Sequence, residues 1–331
     1  MQSIGIVGAG AWGTALAATA QRAGRRTLIW AREAEVAQSI NQQGRNALFL
    51  PDIALEGVKA TTELADLTGF DALLLVVPAQ FLRPVCRALK PHLGADTPVV
   101  LCAKGIELSS GKMMSDLVTE ELPGSPLAVL SGPTFAIEVA RGLPTAITLA
   151  AFDPELAKTL AAALGGPSFR PYVTDDVVGA EIGGAIKNVL AIGCGVVEGR
   201  GLGDNARAAL ITRGLAELVR LAVAKGGRPT TCMGLSGLGD LILTASSLQS
   251  RNYSLGVALG KGRKLADILG ERRSVAEGVD TAYAVADLAV RLGIEMPICQ
   301  AVAELLRGGI SVEGTIAGLL ARPFAMELGF Q

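Results

Sequence analysis

Ser3-Ile4-Gly5-Ile6-Val7-Gly8-Ala9-Gly10-Ala11-Trp12-Gly13-Thr14-Ala15-Leu16 decides the fold. Ser3 to Val7 is a short run without polar alternation, the pattern of a strand buried on both faces. Gly8-Ala9-Gly10-Ala11-Trp12-Gly13 follows directly, and residues 13–22 carry a helical pattern. A G-x-G-x-x-G spacing is weak alone, but between a strand and a helix it has a mechanism. The first glycine allows a tight turn, the second lets backbone approach a pyrophosphate, and the third lets helix and strand pack closely. The phosphates then face N–H groups and the positive end of the helix dipole. A glycine-rich turn with no ligand is the alternative, and the flanking strand and helix weigh against it.

Outward from this unit, apolar runs at 27–31, 72–77, 99–103, 127–130 and 146–149 read as further strands, with another at 169–173. Helical stretches separate most of them, which indicates an α/β, doubly wound, mostly parallel sheet of the Rossmann type. After Asp175 the pattern changes to helices alone, at 178–197, 206–224, 254–258, 281–292, 297–306 and 312–319, punctuated by glycine clusters. The expected division is a dinucleotide-binding domain over 1–175 and an all-helical substrate-binding and catalytic domain over 176–331.

Composition narrows the function classes. The 30 basic and 31 acidic residues give a net charge of −1, which argues against nucleic acid as a partner, since that leaves a basic footprint. No apolar run is read as reaching the ~18 residues of a membrane helix, so no membrane insertion is expected. A strand begins almost at once, leaving no room for a signal peptide. Cys86, Cys102, Cys194, Cys232 and Cys299 show neither a disulfide framework nor a zinc spacing, so no metal is expected. Buried small hydrophobes in a reducing cytoplasm are their simplest reading.

At the end of the second strand, NAD sites usually carry an acidic residue for the ribose hydroxyls. Here the order is Trp30-Ala31-Arg32-Glu33. A guanidinium favours a 2′-phosphate, so NADP(H) is favoured, while Glu33 opposes that preference and NAD(H) is tolerated. A solvated helix-start arginine is the alternative for Arg32. Ligands of open α/β sheets gather beyond the carboxyl ends of the strands. Val76-Val77-Pro78, Lys104-Gly105 and Ser131-Gly132-Pro133-Thr134 all fall there. Lys104 on that edge suits a phosphorylated or carbonyl substrate.

In the second half, Lys187 shares a helix face with Gly183, Gly184, Ala191, Cys194 and Gly195. The small residues leave room for a close approach, and burial there moves a lysine pKa towards the working pH. Such a lysine exchanges a proton with an alcohol or carbonyl oxygen; a snorkelling interface lysine reads equally well. Asp240, in a second glycine cluster, is placed to orient Lys187 or pair with it. Arg251 and Asn252, at a helix start, are donors suited to a phosphate, and Ser250 serves as helix cap or ligand contact. His92 is the single histidine and lies beside Pro91, so acid–base work falls to lysine or carboxylate.

These residues together resemble the NAD(P)-dependent glycerol-3-phosphate dehydrogenases of the bacterial type over essentially the whole chain. The likeness rests on the glycine loop, Ala103-Lys104-Gly105-Ile106-Glu107, Leu130-Ser131-Gly132-Pro133, Gly184-Ala185-Ile186-Lys187-Asn188, Gly237-Leu238-Gly239-Asp240-Leu241, Ser250-Arg251-Asn252 and Glu277-Gly278-Val279. The lysine segment together with the Ser-Arg-Asn triplet is its most specific part. The resemblance implies reversible reduction of dihydroxyacetone phosphate to sn-glycerol 3-phosphate for glycerophospholipid synthesis, by a cytoplasmic homodimer. It implies catalytic roles for Lys187, Asp240 and Lys104. Cofactor contacts are implied at Gly8, Gly10, Ala11, Trp12, Gly13, Arg32, Lys104, Ala136, Arg251, Val275 and Glu277. Substrate contacts are implied at Lys104, Gly132, Thr134, Lys187, Asp240, Ser250, Arg251 and Asn252. The sequence departs from the family at Ala11, where serine is common, at Ala31, where histidine is frequent, and at Thr134, which keeps the hydroxyl of a common serine. A 3-hydroxyacid or ketopantoate-type reductase of the same architecture, and a non-catalytic NADP(H)-binding sensor, are the rival readings.

Overall fold

The computed structural model describes residues 1–94, 96–271 and 276–323. The chain opens with β1 (Ser3–Val7), α1 (Ala11–Arg22), β2 (Arg26–Trp30), α2 (Ala34–Gln43), β3 (Lys59–Thr61), β4 (Ala72–Leu75), α3 (Leu82–Leu89) and β5 (Val99–Leu101). It continues through α4 (Met114–Glu121), β6 (Leu127–Ser131), α5 (Ala136–Ala140), β7 (Thr145–Ala151), α6 (Pro154–Leu164) and β8 (Phe169–Thr174). The eight strands form one sheet in the order β3-β2-β1-β4-β5-β6-β7-β8. Its first six positions follow the 3-2-1-4-5-6 order of dinucleotide-binding sheets.

Side chains alternate across this sheet, and both faces are covered. Ile4, Ile6, Leu74 and Val100 join a core with Leu16 of α1, Val36 and Ile40 of α2 and Leu160 of α6. Val7, Leu73, Leu75, Val99 and Leu101 point the other way, onto Leu82 and Cys86 of α3 and Leu117 and Val118 of α4. Burial on both sides explains why the central strands carry no polar alternation.

Two features depart from the sequence reading. β3 was not anticipated: Lys59-Ala60-Thr61 is an edge strand too short to show a period. β7 pairs antiparallel to β6, and β8 parallel to β7, so the last two strands run against the other six. A parallel neighbour needs a crossover that carries the chain back to the starting edge. Residues 132–144 hold only the short α5, so β7 starts where β6 ends.

Beyond β8 the described residues form helices and turns only. These are α7 (Val177–Gly199), α8 (Gly203–Ala224), α9 (Pro229–Cys232), α10 (Asp240–Thr244), α11 (Arg251–Gly260), α12 (Leu265–Gly270), α13 (Glu277–Leu292), α14 (Pro297–Arg307) and α15 (Val312–Leu320). A single π-turn, Leu235–Gly239, leads into α10. α7 corrects the expectation about apolar runs, because by length and composition it matches a membrane-crossing helix. It is nevertheless almost wholly buried, as the central helix of the second core. All five cysteines are buried and unpaired.

Candidate active site

The glycine loop has the geometry its spacing demands. Gly8 has φ +119°, and a side chain there would press on the Val76 carbonyl at 2.7 Å. A methyl group on Gly13 would overlap the Gly8 carbonyl, so this glycine lets α1 lie close to the strand. At Gly10 the same methyl would meet no atom within 4 Å, leaving open space at the start of α1. Trp12 Nε1, just inside the helix, is buried with no hydrogen-bond partner among the described residues. Open backbone, a helix N-terminus and an unpartnered donor fit a dinucleotide pyrophosphate.

Asn46 braces this loop and was missed from the sequence. Fully buried, it donates from Nδ2 to the Ala9 carbonyl and to Thr14 Oγ1, both at 2.8 Å, and accepts from Phe49 N–H. In the sequence it follows Gly44-Arg45 and looks like turn chemistry, because the loop it touches is remote along the chain. Arg32 and Glu33 stand just past β2, beside the glycine loop, and are paired with each other. Ala11 and Ala136 begin α1 and α5. Val275, expected at the cofactor, lies outside the described residues.

Further along the carboxyl edge, three charged groups meet. Lys187 of α7 donates to Asp240 Oδ1 at 2.6 Å and to Thr244 Oγ1 at 2.9 Å. Lys104, after β5, donates to Asp240 Oδ2 at 2.7 Å and to the Gly132 carbonyl at 3.1 Å. Asp240 is wholly inaccessible to solvent, so one buried carboxylate serves two ammonium groups and the cluster carries net positive charge. Burial pulls the Lys187 ammonium down to about 8, with Asp240 opposing the shift. Each ammonium has three donors and uses two within the protein, so each keeps one for a bound anion or carbonyl. Thr134 Oγ1 bonds the Gly132 carbonyl at 3.2 Å, placing the loop after β6 against Lys104.

The small-residue face of α7 explains how these groups converge. The sequence reading left room there for something to approach; the approaching matter is the chain itself. A side chain on Gly183 would overlap the Ser236 carbonyl of the π-turn that leads into Asp240, the first residue of α10. On Gly184 it would press on Ser131 Oγ at 2.6 Å and on the Lys104 stem at 3.3 Å. Gly195 and Gly199 face Gly256 and Gly260 of α11, backbone against backbone. That contact fixes the start of α11, where Ser250 caps the helix by accepting from Tyr253 N–H at 3.2 Å. Arg251 occupies its first turn, exposed. Asn252 donates to Asn188 Oδ1 at 2.9 Å and accepts from Gly278 N–H at 3.1 Å, keeping one amide proton. Thr244 and Asn188 thus hold expected site residues, although neither was given a role from the sequence. Glu277, first in α13, accepts from Ala79 N–H at 3.3 Å, and burial raises its carboxyl while Arg251 opposes. His92 sits in a turn between α3 and β5, at the opposite edge of the sheet.

Among the described residues no group of His, Cys, Asp and Glu could hold a metal ion. A buried lysine on the same sheet edge as a glycine loop that fits a pyrophosphate is the arrangement of a dinucleotide-dependent dehydrogenase. Comparison with known proteins then gives the family. The family model for the NAD-dependent glycerol-3-phosphate dehydrogenase N-terminus matches residues 3–157, and that for the C-terminus matches residues 176–317. The chain belongs to the NAD-dependent glycerol-3-phosphate dehydrogenase family. It is 61% identical to the glycerol-3-phosphate dehydrogenase [NAD(P)+] of Rhodospirillum rubrum, over 98% of this chain and 94% of that protein. The corresponding protein of Caulobacter vibrioides is 57% identical over 98% of this chain and 99% of its own length. The crystal structure of glycerol-3-phosphate dehydrogenase from Coxiella burnetii superposes with a TM-score of 0.93 at 39% identity, covering 97% of this chain and 99% of that one. A ketopantoate reductase from Ralstonia eutropha, 17% identical with a TM-score of 0.59, shares the fold alone.

Proposed function

We propose that the chain catalyses the reversible NAD(P)H-dependent reduction of dihydroxyacetone phosphate to sn-glycerol 3-phosphate, supplying glycerophospholipid synthesis. The observation that carries this reading is the Lys187–Asp240–Lys104 cluster: a net positive, buried site with two unused ammonium donors beside a dinucleotide cradle. When bound, the dinucleotide supplies hydride to the substrate carbonyl carbon. Gly8, Gly10, Ala11, Trp12 and Gly13 would line its pyrophosphate, Arg32 its adenosine end, and Lys104, Ala136, Arg251 and Glu277 the rest, with Val275 added by the resemblance alone. Lys187 gives its proton to the developing alkoxide, and Lys104 stabilises the same oxygen electrostatically. Asp240 holds both ammonium groups in position. Arg251, Asn252 and Ser250 hold the phosphate away from the reacting carbon, so binding there orients the carbonyl. Gly132 and Thr134 close the wall next to Lys104.

In this reading residues 1–175 bind the dinucleotide and residues 176–331 bind the substrate and carry the proton. Arg32 gives a preference for NADP(H). A cytoplasmic homodimer completes it, supported by the tendency of such helical domains to pair. Initial rates with dihydroxyacetone phosphate, first with NADPH and then with NADH, test the assignment. Turnover with at least one nucleotide is expected. Cofactor binding without turnover would instead support the sensor reading, and turnover with a carboxylate substrate such as ketopantoate would support the other reductase class.

A further inference from the structure

The loop after β5 that carries Lys104 is fastened to the segment after β4. β4 and β5 run parallel, and their ladder ends where Cys102 N–H donates to the Leu75 carbonyl at 3.0 Å. Beyond that point Gln80, in the single turn Ala79–Phe81, continues the pairing with its side chain. Its Nε2 donates to the Ile106 carbonyl at 2.8 Å, and its Oε1 accepts from Leu108 N–H at 3.0 Å. The side-chain amide closes around Glu107 as a backbone amide does in a parallel ladder. The loop has little room to slide: a side chain on Gly105 would press on Ala79 Cβ at 2.8 Å and on Thr281 Oγ1 of α13 at 3.3 Å. Ile106 is wholly buried in the helical core. Arg83 of α3 is a second fastener, donating to both carboxylate oxygens of Glu107, each at 2.8 Å.

Resting on the reaction proposed above, we propose that Gln80 is a positioning residue that sets the Lys104 ammonium against Asp240. Lys104 lies two residues before the clamped Ile106 carbonyl, so the clamp fixes the backbone from which its side chain reaches Asp240 and the Gly132 carbonyl. The placement matters because Asp240 is shared: its Oδ2 takes Lys104 and its Oδ1 takes Lys187. A Lys104 that draws back leaves Asp240 to Lys187 alone and withdraws a like charge. Both changes strengthen the hold of Lys187 on its proton. The charges that face Lys187 are Asp240 of α10, Lys104 after β5 and Glu277 of α13, with Arg251 of α11 acting on Glu277. Lys104 is the member of this set whose loop Gln80 clamps. Through it, Gln80 governs the electrostatic support of the alkoxide and the readiness of Lys187 to give its proton.

The test uses Gln80→Met in the full chain, which keeps the length of the side chain and loses both hydrogen bonds. Arg83 still holds Glu107, so the loop keeps one of its fasteners. Reduction of dihydroxyacetone phosphate is followed across pH at saturating nucleotide and substrate. Turnover should fall by about tenfold or more, since a misplacement of about 1 Å can lose 10²-fold. The alkaline limb, where rate is lost with the Lys187 proton, should move up by about one pH unit from its wild-type place at about 8. Gln80→Asn, whose amide is one methylene shorter, should move the limb the same way by less, and serves if the methionine variant does not fold. General loosening of the fold lowers turnover without moving the limb, so a limb left in place overturns the inference. Turnover unchanged within twofold overturns it too. A wild-type chain without turnover would overturn the proposed reaction itself, and the inference with it.

Discussion

Two glycine-rich regions of this molecule do opposite things. In the loop after β1, Gly10 stands in open space, and the emptiness next to it is what a pyrophosphate requires. Along α7, the space next to Gly183, Gly184, Gly195 and Gly199 is already filled by the π-turn, by Ser131 and the Lys104 stem, and by α11. Glycine spacing therefore marks where a close approach occurs without saying what approaches. In the loop the partner proposed above is a ligand. On α7 it is the chain, and the filled face turns a helix of small residues into the frame that gathers Lys187, Asp240 and Asn252.

The largest effect should come from the group that this frame exists to place. Lys187→Ala is expected to lower turnover by at least ~10², the usual scale for a general acid–base group. Near-normal turnover would mean that the filled face is packing and nothing more. The same residue fixes a pH dependence. With its ammonium held at about 8, ketone reduction should lose up to about tenfold in rate per pH unit above that value, as the proton to be donated disappears. Alcohol oxidation, which needs the neutral amine, should rise through the same range. Profiles of the two directions that do not cross in opposite senses would remove the proton from Lys187.

Paired alanine substitutions address the contrast directly. Gly195→Ala introduces a methyl against the backbone of α11 and should destabilise the fold by about 1–3 kcal/mol, read by denaturant unfolding. Gly10→Ala adds the same methyl where no atom lies within 4 Å, at a residue whose φ of −67° any side chain accepts, so stability should hold. Its dinucleotide affinity should instead weaken by about tenfold or more. If both variants lose stability alike, the loop is not a vacant cradle.

What could be read in the sequence divides along the same line. β1, the loop and α1 were legible because strand, turn and helix are contiguous and each glycine has a local reason. The central strands were legible because burial on both faces suppresses polar alternation. Strand direction was not, since the antiparallel β7 has the same composition as a parallel strand and differs only in where residues 132–144 leave the chain. The π-turn at Leu235–Gly239 looked like punctuation, because its backbone contact with Gly183 spans two distant segments. Asn46, Thr244 and Asn188 were unreadable as site residues for the same reason: their meaning lies in partners far along the chain. Lys104, Lys187 and Asp240 could be singled out from their neighbours, and Asp240 as a partner of Lys187, but that the same carboxylate also holds Lys104 could not be read.

The smallest expected effect lies where the sheet layer meets α7. Glu181 of α7 is buried and accepts from Ser115 N–H at 2.9 Å and from Ser115 Oγ at 2.5 Å, holding the first turn of α4 from outside it. Burial lifts its carboxyl from an ordinary 4.5 to about 7, with the Ser115 bonds opposing. A carboxyl raised on folding binds more protons in the native chain than in the unfolded one between those values. Its contribution to stability is therefore complete below about 4.5 and is lost as the pH rises through about 7. Melting temperature should decline over that window by a few degrees, and Glu181→Gln, which cannot ionise, should flatten the decline while still accepting from Ser115. A wild-type slope unchanged by the substitution would mean that the buried carboxylate ionises without cost.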